Sequence, residues 1–239
     1  HARAHVANAL ALDPDSAEAL TADGAIRLFF DWEFEPAEVA FKRALALNPS
    51  YTNAYLAYGD LLMMRAQFDR GLSMIRDAVA LSPLDLGLNM NLGDFLIFAR
   101  RFDAAARHLE HTLEMAPGFV PGRLRLAEAL ALAGRHATAL AQAEIAFAEA
   151  PSLPRARETR ALVLAIAGRR DEARRELAVL AEARRERYVS AWEIARAYAV
   201  MADADEAIQW LSEAIAERAP MTLFAGIHAT LDPVRHDRR

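Results

Sequence analysis

Small and large apolar residues return along this chain at one long interval, with the same order of small and bulky positions each time. Counted from Pro14, Pro49, Pro83, Pro117 and Pro151, the tenth residue on is Gly24, Gly59, Gly93, Ala127 or Ala161. The twenty-second is Gly71, Ala105, Ala139 or Ala173 for the last four prolines, and Ala37 follows one residue late after the first. Leu62, Leu96, Leu130 and Leu164 accompany the first small position; Ile75, Leu109, Leu177 and Leu211 accompany the second. Paired helices approach to about 8–10 Å only where the residues at their crossing are small. The pattern therefore predicts a helix A, a short turn, a helix B and a proline-marked turn, repeated. Proline suits the end of each pair, because it cannot continue the hydrogen-bond ladder and disfavours helix in the residue before it. Pro121 and Pro154 instead fall in the first turn of the next helix, where a missing N–H costs nothing.

The segments closing each interval confirm the period. ALALDP ends at Pro14, ALALNP at Pro49, AVALSP at Pro83, TLEMAP at Pro117 and AFAEAP at Pro151, with a looser AIAERAP at Pro220. These prolines stand 35, 34, 34, 34 and 69 residues apart. A period of 34 marks an array of helical hairpins, each burying its apolar face only against its neighbours. The expected organisation is a second helix of a truncated repeat plus turn over 1–16, then six units at 17–51, 52–85, 86–119, 120–153, 154–187 and 188–221. Residues 222–239 are expected to form a tail or an incomplete capping segment. Two places break the rule. In the first unit Asp23 and Arg27 stand where apolar helix A residues belong, and in the fifth Arg185 replaces the closing proline before Ala195 and Ala207 restore the phase.

With these residues the chain resembles the tetratricopeptide repeat (TPR) family over essentially its whole length. The resemblance implies an all-α, right-handed superhelical solenoid of antiparallel helix pairs that binds proteins rather than transforming substrates. Asp31-Trp32-Glu33-Phe34 with Ala37, Glu38 and Phe41, Arg187-Tyr188-Val189-Ser190, and Leu231-Asp232-Pro233 with Arg235 and Arg239 are similar to segments of the TPR arrays at the C-terminal end of bacterial multidomain signalling proteins. Winged-helix regulators, adenylate cyclases and Ser/Thr kinases are examples of such proteins. The chain opens inside a helix pattern at His1-Ala2-Arg3, which reads as a piece of a longer protein.

Composition narrows the function. The hydrophobic fraction of 54% is rich in Ala and Leu, which suits closely packed helices. A net charge of −5 argues against nucleic acid as a partner. The absence of cysteine removes disulfides and thiolate metal sites. No run of 18 apolar residues occurs, so no membrane-inserted segment is expected, and the cytoplasm is the default compartment with an extracytoplasmic one left open. His108 and His111, three apart with Glu110 and Glu114 nearby, read as a solvated helix face rather than a metal site, and no cofactor is expected. Gly134 and Gly168 sit in A-to-B turns, where glycine supplies a positive φ, and not in phosphate loops. The seven arginines over 169–187 are interleaved with five acidic residues, the pattern of Glu–Arg pairs on an exposed helix.

In TPR arrays the inner groove is lined by helix A. Positions seven, eleven, fourteen and fifteen past each proline give Leu56, Asp60, Met63 and Met64, then Met90, Asp94, Ile97 and Phe98, then Leu124 and Glu128. Asp60, Asp94 and Glu128 are expected to complement Lys or Arg of a protein or peptide partner, or of another domain of the parent chain, above a Met-rich floor that adapts to what docks. Modules that clamp the carboxylate of chaperone tails carry Lys and Asn on helix A. Leu56, Asp60, Met90 and Asn91 in those places point away from that use. The alternative is a structural scaffold that forms homo-oligomers by stacking its end repeats.

Overall fold

The computed structural model describes residues 1–237, so Arg239 of the terminal segment lies outside the described residues. Regular structure among them is entirely helical. The α-helices are α1 (Ala2–Leu12), α2 (Ala17–Ile26), α3 (Phe34–Leu47), α4 (Thr52–Met64), α5 (Phe68–Leu81), α6 (Leu86–Phe98) and α7 (Phe102–Met115). They continue with α8 (Val120–Leu132), α9 (His136–Glu149), α10 (Pro154–Ile166), α11 (Arg170–Ala183), α12 (Ala191–Val200) and α13 (Ala204–Ala216). Two 3₁₀-helices, Pro220–Phe224 and Ala229–Val234, close the chain. It divides into two compact units, His1–Phe95 and Leu96–Arg239, with the boundary inside α6.

Each unit is built from antiparallel helix pairs. The first holds α2–α3 and α4–α5, the second α8–α9, α10–α11 and α12–α13. Small residues make the pairs possible. Ala37, Ala105, Ala127, Ala139, Ala161, Ala173, Ala195 and Ala207 are wholly buried. A Cβ on Gly59 would meet the Phe95 ring at 2.6 Å, and one on Gly71 would lie 3.2 Å from the Gly59 carbonyl, so at the α4–α5 crossing backbone packs on backbone. Gly24 is closed over by Phe41, 2.6 Å from where its Cβ would be.

The turn between paired helices has one backbone solution. Ala66, Arg100, Gly134, Gly168 and Ala202 recur at 34-residue spacing, all with φ between 56° and 79°. After each, the next N–H reaches five residues back, as Gln67 to Leu62 and Arg135 to Leu130, at 2.8 and 2.9 Å. A left-handed residue is how a helix satisfies its last carbonyls. Only two of the five turns use the residue that adopts this conformation freely.

The 35-residue first interval has a structural cause. Arg27–Asp31 forms a π-helical turn that extends α2 and ends at Trp32 with φ 60°. A π-turn accommodates one extra residue in a helix, which is why Ala37 comes one position late. Asp23 and Arg27, out of place in an apolar pattern, pair with each other at 2.6 Å, and Arg27 also holds Glu33 at 3.1 Å.

Candidate interaction surface

In the first unit the eleventh-position carboxylates are Asp60 on α4 and Asp94 on α6, both half-buried. Asp60 forms no hydrogen bond or ion pair among the described residues. Loss of solvent, and after it the charge of Asp94, pushes its carboxyl up to about 8. Leu56, Met64 and Met90 are partly exposed on the same two helices. Met63 is fully buried, its methyl end 3.0 Å from where a Cβ on Gly71 would sit, so its side chain is used in the α4–α5 crossing.

The second unit treats the same position differently. Glu128 on α8 is 2% exposed and lies in a buried network of ion pairs. Arg196 of α12, with no exposed surface, donates to Glu128, to Glu193 at 2.7 Å and to the Thr230 hydroxyl at 3.1 Å. Arg125 reaches Glu128 at 3.1 Å, and Arg155 of α10 pairs with Glu193. Burial pushes Glu128 and Glu193 up, but the surrounding guanidinium groups win and hold both below the usual carboxylate range. Glu158 on α10 is pushed up to about 7, because burial and the Glu193 charge outweigh Arg155 and the Ser190 N–H it accepts at 3.1 Å.

Residues 219–237 lie across this network. His228 is buried with Nδ1 accepting from the Thr230 N–H at 3.4 Å and Nε2 3.7 Å from Glu128. Burial and the Arg196 charge hold its pKa well below 6.5, so the ring is neutral. Phe224 stacks on Phe98 with ring centres 4.7 Å apart, and Asp232 takes both Arg100 nitrogens at 2.6 and 2.8 Å. Phe98 is thus buried, Ile97 is buried as well, and Leu124 is buried in a cluster with Ala146 and Ala156.

Two further candidates resolve into pairings of the helix surface. His111 bonds Glu114 at 3.0 Å with both side chains exposed, and among the described residues no group of three or more metal-ligating side chains comes together. Over 169–187 the arginines pair locally or with the next helix: Arg169 with Glu172, Arg185 with Glu182 at 2.8 Å, Arg174 with Asp203 at 2.9 Å.

No family profile matches the chain, and no curated protein does. Solved structures do. A tetratricopeptide repeat protein from Parabacteroides merdae superposes with a TM-score of 0.69 at 14% identity, over 96% of this chain and 89% of that one. TTC0263, a thermophilic TPR protein of Thermus thermophilus, gives 0.62 at 20% identity over 84% and 100%. YrrB, described as a TPR protein with an unusual peptide-binding site, gives 0.51 at 18% identity over 85% and 96%.

The chain has the TPR fold. In TPR terms, the residues seven, eleven and fifteen past each proline lie on one face of helix A, and the face differs between the units. In the first it carries Leu56, Asp60 and Met64 with Met90 and Asp94. In the second the chain itself covers it. Sequence reasoning stopped that face at Glu128. Continuing the same count from Arg185 gives Trp192 and Arg196, wholly buried and central to the network. Residues 219–237 carry no helical period, so their burial left no mark in the pattern of the repeats.

Proposed function

We propose that the chain is a non-catalytic protein-interaction module, and that the helix A face of its first unit receives a basic segment of a protein partner. The carrying observation is Asp60. A carboxyl removed from water usually gains a cation or a hydrogen bond in return. Asp60 has neither within the described fold, and it sits beside a second carboxylate. A Lys or Arg side chain entering above Leu56, Met64 and Met90 would favour the ionised form of Asp60 and pair with it. It would lay its aliphatic stem on the apolar floor. The fold supports the reading through the company it keeps, since YrrB is a TPR protein with a peptide-binding site.

The test is a positional peptide library presented to the full chain and to an Asp60→Asn/Asp94→Asn variant. Asparagine is chosen because both side chains are half-buried and the amide keeps their size. Peptides retained by the chain should be enriched in Lys or Arg at one position, and the variant should lose that preference by at least tenfold. Equal selection by both proteins removes this surface as the recognition site.

A further inference from the structure

The helix A face of the second unit is complete without the segment that covers it. Glu128 and Glu193 are matched by Arg125, Arg155 and Arg196, all from α8, α10 and α12, while the covering segment contributes only the neutral His228 and the Thr230 hydroxyl. The segment is equally self-contained. Arg235 bonds the carbonyls of Ala225 and His228 at 3.2 and 2.9 Å and the Asp232 carboxylate at 3.0 Å, fixing its shape from within. One polar group beside the segment stays unsatisfied. Trp192, wholly buried against Leu231 and Val234, keeps an indole N–H with no acceptor. A buried donor left unpaired is a defect that a better occupant removes.

We propose that residues 219–237 act as a built-in ligand of this face, and that a protein segment with an aromatic residue and a carboxylate eight positions later displaces them. The aromatic residue takes the place of Phe224 on Phe98, and the carboxylate takes that of Asp232 on Arg100. An acceptor offered to Trp192 favours the incomer. Displacement is feasible because the segment holds only short 3₁₀ turns, which have poorer hydrogen bonds than an α-helix, and because its Arg100–Asp232 clasp is nearly half exposed. A competing segment in place means the face is read only by partners above a threshold affinity. The proposal rests on other residues than Asp60 and Asp94, and its test is read without them.

Two measurements test it. In hydrogen exchange on the full chain, amides of residues 220–234 should exchange at least tenfold faster than those of α12, showing that the segment opens while the repeats stay folded. A fluorescent peptide of residues 219–237 should bind a Phe224→Ala/Asp232→Asn full-length variant at least tenfold more tightly than the unaltered chain. Peptides carrying the same two substitutions should lose that binding. Exchange of the segment together with α12, or no binding of the peptide to the variant, overturns the proposal and makes the segment a fixed cap.

Discussion

At the scale of single residues, this chain buries charge in two ways, and pH separates them. Asp60 has a folded pKa of about 8, above its ordinary value of 3.8, so the folded state binds the extra proton. The stability this represents is whole below about pH 4 and is lost as pH rises to about 8. His228 runs the other way. Its folded pKa lies below 6.5, so the unfolded chain binds the extra proton and stability is lost as pH falls through 6.5. Urea denaturation across pH 5 to 9 should show both limbs. Asp60→Asn should flatten the alkaline one and His228→Gln the acidic one. Arg196 holds two buried carboxylates with one guanidinium. Arg196→Met should destabilise the second unit by about 3 kcal/mol, the cost of leaving buried charge short of a counterion. A variant within 0.5 kcal/mol of the parent, on the order of a surface substitution, would mean that Arg125 and Arg155 suffice.

At the scale of elements, the turn between paired helices is where the sequence is furthest from its own optimum. Ala66 and Ala202 adopt the left-handed conformation that Gly134 and Gly168 occupy without strain. The left-handed region costs an L-residue about 1–2 kcal/mol, offset in part by the greater freedom glycine has when unfolded. Ala66→Gly and Ala202→Gly should therefore each stabilise by about 0.5–1 kcal/mol, and Gly134→Ala should destabilise by about 1 kcal/mol, all read by chemical denaturation. At the α4–α5 crossing the requirement is reversed. Gly59→Ala should cost about 1–3 kcal/mol, because its Cβ meets the Phe95 ring. These elements were the legible part of the sequence. Gly24, Gly59, Gly71 and the alanines in phase with them have burial dictated by the repeat itself, and a period is visible without coordinates. The π-turn showed only as a 35-residue interval and two misplaced charges. Residues 219–237 showed only as a tail or incomplete cap carrying Leu231-Asp232-Pro233, and their burial did not show, since Phe224, His228 and Thr230 are buried by a surface assembled from three distant helices rather than by a pattern of their own.

At the scale of the whole molecule, two units of one fold carry two treatments of the same surface position. The first leaves Asp60 beside Asp94 on a partly exposed, Met-bearing face; the second matches Glu128 with arginines and covers it. Half of the candidate site was readable accordingly. The offsets from the prolines locate the face, but the pairing of Glu128 depends on Arg196 and its covering on the terminal segment. Among the described residues no helix is long and apolar enough to cross a membrane. The measurement that bears most directly on the central claim is the affinity of the full chain, from pH 6 to 9, for the Lys-bearing peptide that the library selects. Lysine stays charged throughout, with an ordinary pKa of about 10.4, so only the acids of the site titrate. The affinity should climb with pH and level off near 8, and the climb should vanish in Asp60→Asn. An affinity that is flat or falls over this range would contradict the account.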